Sequence, residues 1–207
     1  MRRSERGAAL AEFAICLTLL STLTFGAVEF GWGWKQRINL QAITRGGARV
    51  ASGLGSSPYA DREVLRSVLG GLSDLPGGVA NVGSIVIYKA TCTTCTDPYM
   101  TPRDVDVNCD VKSGTPPNAG VSGKCNIYFP NTGYFTASVL TGTSQWGSSA
   151  SSSLDRFWTP STRVVSTNGN GPDYVGIQIN YTHRMIVGFF GRTLAMTDRS
   201  VYRLEPA

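Results

Sequence analysis

The chain has a single histidine, His183, and only four of its 19 basic residues are lysines. With one histidine, no Ser–His–acid set can be assembled beyond chance. His183 lies in a stretch patterned as a strand and reads as a satisfied or exposed side chain, not a catalytic base. No glycine-rich loop has the spacing that cradles phosphates. No stripe of clustered Lys and Arg interleaves with aromatics, so nucleic acid is not an expected partner. Charged residues are only 16% of the chain, and three of the positive ones fall in the first six positions, so the net +5 is not a basic surface. No internal repeat is visible. Enzyme chemistry finds no support, and no cofactor is expected.

What the sequence does contain is concentrated at its start. Residues 13–28 read FAICLTLLSTLTFGAV, sixteen positions without a charge. That is short for a membrane span, which needs about 20 residues. Extension to residues 8–34 gives a 27-residue helix with Phe30, Trp32 and Trp34 as an aromatic belt, followed by Lys35 and Arg37. Arg2, Arg3 and Arg6 place the N-terminus in the cytoplasm and the body outside. An ordinary signal peptide fits poorly, because Glu12 interrupts the start of the apolar region and no A-x-A site follows. Glu29, seventeen residues after Glu12 and about 25 Å further along a helix, is expected at the outer interface, hydrated beside Trp32 and Trp34.

A carboxylate at the mouth of a membrane helix is a functional-site hypothesis. Here it follows a basic head and a glycine: Arg6-Gly7-Ala8-Ala9-Leu10-Ala11-Glu12-Phe13. The order points to a prepilin-type processing and assembly signal. A prepilin peptidase cuts after such a Gly on the cytoplasmic side, so the mature chain would begin at Ala8 with Glu12 as its fifth residue. A buried carboxylate is tolerable only when paired, and the new α-amino group of a neighbouring helix would pair it and fix the register between subunits. The alternative is an uncleaved membrane anchor with an incidental acidic residue.

Of five cysteines, Cys16 lies in the apolar helix as a small apolar residue. Cys92, Cys95, Cys109 and Cys125 share a 34-residue window of the exported part, which suggests two disulfides from three possible connectivities. Cys109–Cys125 is the expected pair. Cys92-Thr93-Thr94-Cys95 follows a strand and has no helix to depress a thiol pKa, which argues against a redox enzyme. A four-cysteine zinc site lacks its second close pair. Asp104–Asp110 mimics half a calcium loop but lacks the required Gly and Glu, so no metal is expected.

Beyond the span, residues 36–54 keep helical periodicity. Ile38, Ala42, Ile43, Gly46, Ala48, Val50 and Leu54 form the expected apolar side, and Arg37, Gln41, Arg45 and Arg49 a solvated or partner-facing row. Breakers at residues 53–58 end it. A second helix fits residues 60–72, where Val64, Leu65, Val68, Leu69 and Leu72 make a stripe and Asp61 and Glu63 suit the first turn. Strand patterns follow at residues 84–90, 124–129, 174–187 and 192–204, the last two joined as a hairpin through Gly188-Phe189-Phe190-Gly191. In the third, Val175, Ile177, Ile179 and Tyr181 alternate with Gly176, Gln178, Asn180 and Thr182 as in a half-buried strand. Residues 91–123 read as a loop held by disulfides rather than by core. Residues 141–172, rich in Ser, Gly, Thr and Asn with anchors at Trp146, Leu154, Phe157 and Trp158, read as functional or mobile.

The residues quoted at the start, with Phe25-Gly26-Ala27-Val28-Glu29-Phe30-Gly31 and Thr44-Arg45-Gly46-Gly47-Ala48-Arg49-Val50-Ala51, resemble the TadE-like family, minor pseudopilins of bacterial tight-adherence (Tad/Flp) pilus systems. Cys125-Asn126-Ile127-Tyr128, Gly171-Pro172-Asp173-Tyr174-Val175-Gly176 and the closing Arg203-Leu204-Glu205-Pro206 are similar to that family too. The resemblance implies cleavage between Gly7 and Ala8 by a prepilin peptidase, and a role in assembling or presenting Flp pili for surface adhesion. Its implied partners are that peptidase, other Tad pseudopilins or the Flp pilin, the Tad secretion machinery and the membrane. Major Flp pilins are much shorter and usually carry Tyr after the glutamate, where this chain has Phe13, which favours an accessory role. The expected architecture is pilin-like α+β. Residues 1–7 are a leader, 8–34 a membrane helix, 35–72 an amphipathic helical region and 73–207 an extracytoplasmic β-rich domain with disulfide-bonded loops. The competing class is an uncleaved envelope-anchored binding or adhesion protein that uses its long Ser/Gly loop.

Overall fold

The computed structural model describes residues 2–91, 102, 104–111, 118–166, 171–186 and 191–205, with side chains from Gly7 onward. Helix α1, Arg2–Leu54, has 53 residues, a rod of about 80 Å. The apolar run and the amphipathic stretch merge into one helix because no proline lies between them. The helix ends where Gly55 takes φ of +52°, a left-handed conformation that glycine adopts without a Cβ clash. Ser52 fastens that end to the C-terminal strand: its Oγ donates to the Arg203 carbonyl at 2.5 Å and its carbonyl accepts from the Glu205 N–H.

Helix α2, Ala60–Leu72, follows a short turn and buries Val64, Leu65, Val68, Leu69 and Leu72, as the apolar spacing predicts. Burial of each such side chain stabilises by roughly 1.5–3 kcal/mol. Strands β1 (Val82–Lys89), β2 (Asn118–Val121), β3 (Cys125–Tyr128), β4 (Tyr174–Arg184) and β5 (Thr193–Arg203) form one antiparallel sheet in the order β2-β3-β1-β4-β5. A five-residue helix, α3 (Ala137–Thr141), lies in the connection after β3. β4 and β5 pair along their full eleven residues, from Tyr174↔Arg203 to Arg184↔Thr193, which is the expected C-terminal hairpin. The distal half of α1 packs on β4, β5 and α2. The fold class is therefore α+β: a long N-terminal helix, then an antiparallel sheet bearing the Cys109–Cys125 disulfide.

Three expectations change. The buried line of α1 runs through Gln36, Leu40, Thr44, Gly47, Ala48 and Ala51, whereas Ile38 and Ala42 are exposed. Close approach, not hydrophobicity, selects this seam. A Cβ on Gly47 would lie 2.5 Å from Val68 Cγ2 and 3.2 Å from Ile177 Cδ1. β4 is buried on both faces, since Gly176, Gln178 and Asn180 are covered as fully as Val175, Ile177 and Ile179. The cover comes from the loop expected to have no core. Val105, Cys109, Val111, Ala119 and Val121 join Val86, Tyr88, Ala90, Cys125, Ile127 and Phe129 in a second apolar cluster on the far side of the sheet. Part of that loop is β2, which the sequence pattern does not reveal. Gly176 is required there: a Cβ would stand 2.2 Å from the Tyr88 ring. That burial raises the Tyr88 phenol to about 12. The third change concerns residues 141–172, whose Trp146, Leu154 and Trp158 are buried in the main core.

Candidate functional site

The exposed half of α1 is the first candidate. The helix from Gly7 is long and apolar enough to cross a membrane, and none of its most apolar window is buried. Leu10, Phe13, Ile15, Leu17, Leu19, Leu20, Leu23, Phe25 and Val28 all stand exposed. Such a surface is stable only in an apolar surrounding. The hydroxyls of Thr18, Thr22 and Thr24 donate to the carbonyls of Ile15, Thr18 and Leu20, each at 2.8 Å. This is how hydroxyls are satisfied where water is absent. Gly7, Ala8, Glu12 and Phe13 lie on this helix with their side-chain positions open. A Cβ on Gly7 would meet nothing within 4 Å, so packing does not explain the glycine. Ala8 and Glu12, four residues apart, share a helix face with an axial separation of about 6 Å. Cys16 is a free, exposed thiol on the same segment.

The second candidate is the collar where α1 meets the β4–β5 hairpin. Glu29 is buried, not hydrated as expected, and its Oε1 accepts the Ile186 N–H at 2.6 Å. One turn on, Gly33 lies against the His183 ring. His183 is buried, and its Nε2 has no hydrogen-bond partner among the described residues, contrary to the satisfied or exposed side chain expected. Burial holds its pKa below 6.5, with the Glu29 charge acting in the opposite direction. Gln36 is likewise buried, and neither amide atom has a hydrogen-bond partner among the described residues. Beside these residues an apolar groove of about 310 Å³ opens between α1 (Phe30, Trp34, Arg37) and the hairpin (Met185, Leu194, Met196). Phe30 and Trp34 stack at 6.3 Å, and Lys35 Nζ sits 5.8 Å from the Trp32 ring, so the expected aromatic belt faces outward.

A third group is structural. Asp61, on the first turn of α2, is fully buried. Its Oδ1 accepts from Arg163 at 2.5 Å and its Oδ2 from Asn126 Nδ2 and the Tyr128 hydroxyl at 2.8 and 2.9 Å. The Arg163 guanidinium lies 4.1 Å over the Trp158 ring, and Asn126 Oδ1 accepts the N–H groups of Phe157 and Trp158. This network ties α2, β3 and the long loop together. Sequence reading assigns Asp61 only to the helix dipole and passes over Arg163, because a pairing across 102 residues leaves no local signal. Asn126 and Tyr128 enter only as members of the expected strand at residues 124–129 and of the Cys125–Tyr128 motif. The acidic run at residues 104–110 is spent on ion pairs: Asp106 with Lys124 at 2.6 Å, and Asp110 with Arg199 at 3.6 Å. The Lys124 ammonium lowers the Asp106 pKa. No group of three metal-ligating side chains is present among the described residues. Cys109 and Cys125 are bonded, the expected pair. Cys92 and Cys95 lie outside the described residues.

Fold and site together define a chain with one apolar N-terminal helix able to cross a membrane and a disulfide-bearing α+β domain on its far half. Residues 7–49 match the profile of the TadE family, described as TadE-like protein. This is the family to which the N-terminal residues pointed. The match covers the Arg6–Phe13 region from Gly7 onward, the Phe25–Gly31 motif and the Thr44–Ala51 motif up to Arg49, and it ends before the C-terminal motifs. No curated protein and no solved structure matches the chain.

Proposed function

We propose that this chain is a Tad pilus-associated minor pseudopilin or accessory protein, processed after Gly7 and acting in pilus assembly and surface adhesion. One observation carries the reading. The family-matched segment holds a run, from Leu10 to Val28, whose large apolar side chains stand exposed, and bears Glu12 at the fifth place after Gly7. A helix built this way is suited to a bilayer first and to a bundle of like helices afterwards. Its function is then insertion, cleavage and lateral packing rather than chemistry. The domain stays outside, joined to the span through the collar, and its size suits an accessory subunit rather than a bulk pilin. The adhesin alternative relies on the long Ser/Gly loop as a free ligand-binding arm. Trp146, Leu154, Trp158 and the Asp61–Arg163 pair commit much of that loop to the core.

Co-expression with a prepilin peptidase tests the proposal. The chain should shorten by its first seven residues, and Gly7→Val should block the change. Glu12→Ala should still be cleaved but co-purify less with other pilus subunits. Unchanged length in the presence of an active peptidase contradicts the processing step. Undiminished co-purification of the Glu12→Ala chain contradicts the pairing role.

A further inference from the structure

We propose that the collar groove between α1 and the β4–β5 hairpin is a binding site for one anionic phospholipid, with an acyl chain in the groove and the phosphate on Arg37. The inference rests on the membrane reading of α1 and goes beyond it.

Height comes first. The Ile186 N–H bond to Glu29 fixes the end of β4 beside the last turns of the candidate span, at the level of the exposed aromatic side chains. The groove therefore continues the lipid-facing surface of the helix instead of opening to water. Its hairpin side, Met185, Leu194, Ala195 and Met196, is apolar, and among the described residues Leu194 is 43% exposed. Such side chains suit an acyl chain as neighbour.

Charge identifies the head group. Arg37 lines the groove, Lys35 stands beside it on α1 just beyond the belt, and Arg184 and Arg192 stand exposed at the turn end of the β4–β5 hairpin, all but Lys35 among them arginines suited to bidentate phosphate contact. The acidic groups facing this region are already engaged. Glu29 is buried against Ile186, and Asp198 is half-buried beside Thr44, with Arg37 and Arg45 lowering its pKa against the rise caused by burial. His183, also buried, adds no surface charge in its neutral form. A second copy of the chain is the less suitable occupant. At the same height it would bring its own Arg37, Arg45 and Arg49, all exposed, against the same row. An anion in lipid form meets no such repulsion.

The test uses the full chain in vesicles of phosphatidylcholine and phosphatidylglycerol in equal parts. Gentle extraction is followed by native mass spectrometry to count retained lipid. One phosphatidylglycerol should be retained per chain in preference to phosphatidylcholine. Arg37→Gln should lower its retention about fivefold, the weight of one basic residue at an anionic membrane surface. Leu194→Glu, at a position exposed enough to leave folding intact, should abolish it. Arg66→Gln, on the remote face of α2, should leave it unchanged. Equal retention of both lipids, indifference to Arg37→Gln, or a dimer without lipid overturns the proposal while leaving the membrane reading in place. A chain that alkaline carbonate strips from the vesicles overturns both.

Discussion

Asp61 and Arg163 form an ion pair with both side chains fully buried; the carboxylate is satisfied, whereas Arg163 Nε and Nη1 have no hydrogen-bond partner among the described residues. The carboxylate accepts from Arg163, Asn126 and Tyr128, so each of its oxygens is engaged. Removing one partner leaves the other charge stranded, which costs about 3–5 kcal/mol. Asp61→Ala should therefore destabilise by that amount, read by chemical denaturation, whereas a loss within about 0.5 kcal/mol would be surface behaviour. Gly47→Ala should cost about 1–3 kcal/mol through overpacking against Val68. His183 sets a pH dependence. Its folded pKa lies below 6.5, so the folded state binds fewer protons than the unfolded chain. Its contribution is fully present above 6.5 and is lost as pH falls from there through the folded pKa. Asp155 and Asp198 have raised pKa values and act in the opposite sense as pH falls. Comparison of His183→Gln with the parent chain at pH 7.5 and 5.5 isolates the histidine: the parent should lose more stability on acidification than the variant.

At the scale of elements, the Cys109–Cys125 bond joins the far-side loop to β3, sixteen residues apart. A loop of that length predicts a stabilisation of about 3 kcal/mol. The double substitution Cys109→Ser with Cys125→Ser should lose about that much in a denaturant titration and loosen the cover over Tyr88 first, visible as faster amide exchange in β2. Most elements were legible in the sequence. Helix α2 follows from its apolar spacing, β4 from alternation, β5 from its strand-forming residues after an intervening glycine pair, and α1 from its apolar run and the helical periodicity beyond it. Less was legible where long-range packing decides. The seam of α1 follows small residues rather than Ile38, because Gly47 and Ala48 let the helix lie closer to the sheet. β2 is short and lies in a segment rich in proline and glycine, so no local pattern announces it. The Asp61–Arg163 pair is invisible locally for a similar reason: its partners belong to a helix and a loop whose meeting only the tertiary fold decides.

For the whole molecule, the two halves of α1 follow different rules. From Glu29 onward it is a core helix, fixed by Ser52, Gly47 and the collar. Before Glu29 its large apolar side chains stand exposed, yet this half carries the glycine that packing does not require and the carboxylate at the mouth of the candidate span. The family match begins at that same glycine. The central claim is that Gly7 and Glu12 are present for processing and assembly. The N-terminal residue of the chain recovered from membranes of a cell with the complete pilus system tests it most directly. Ala8 at the N-terminus is the predicted result; an intact chain beginning at Met1 or Arg2 would contradict it.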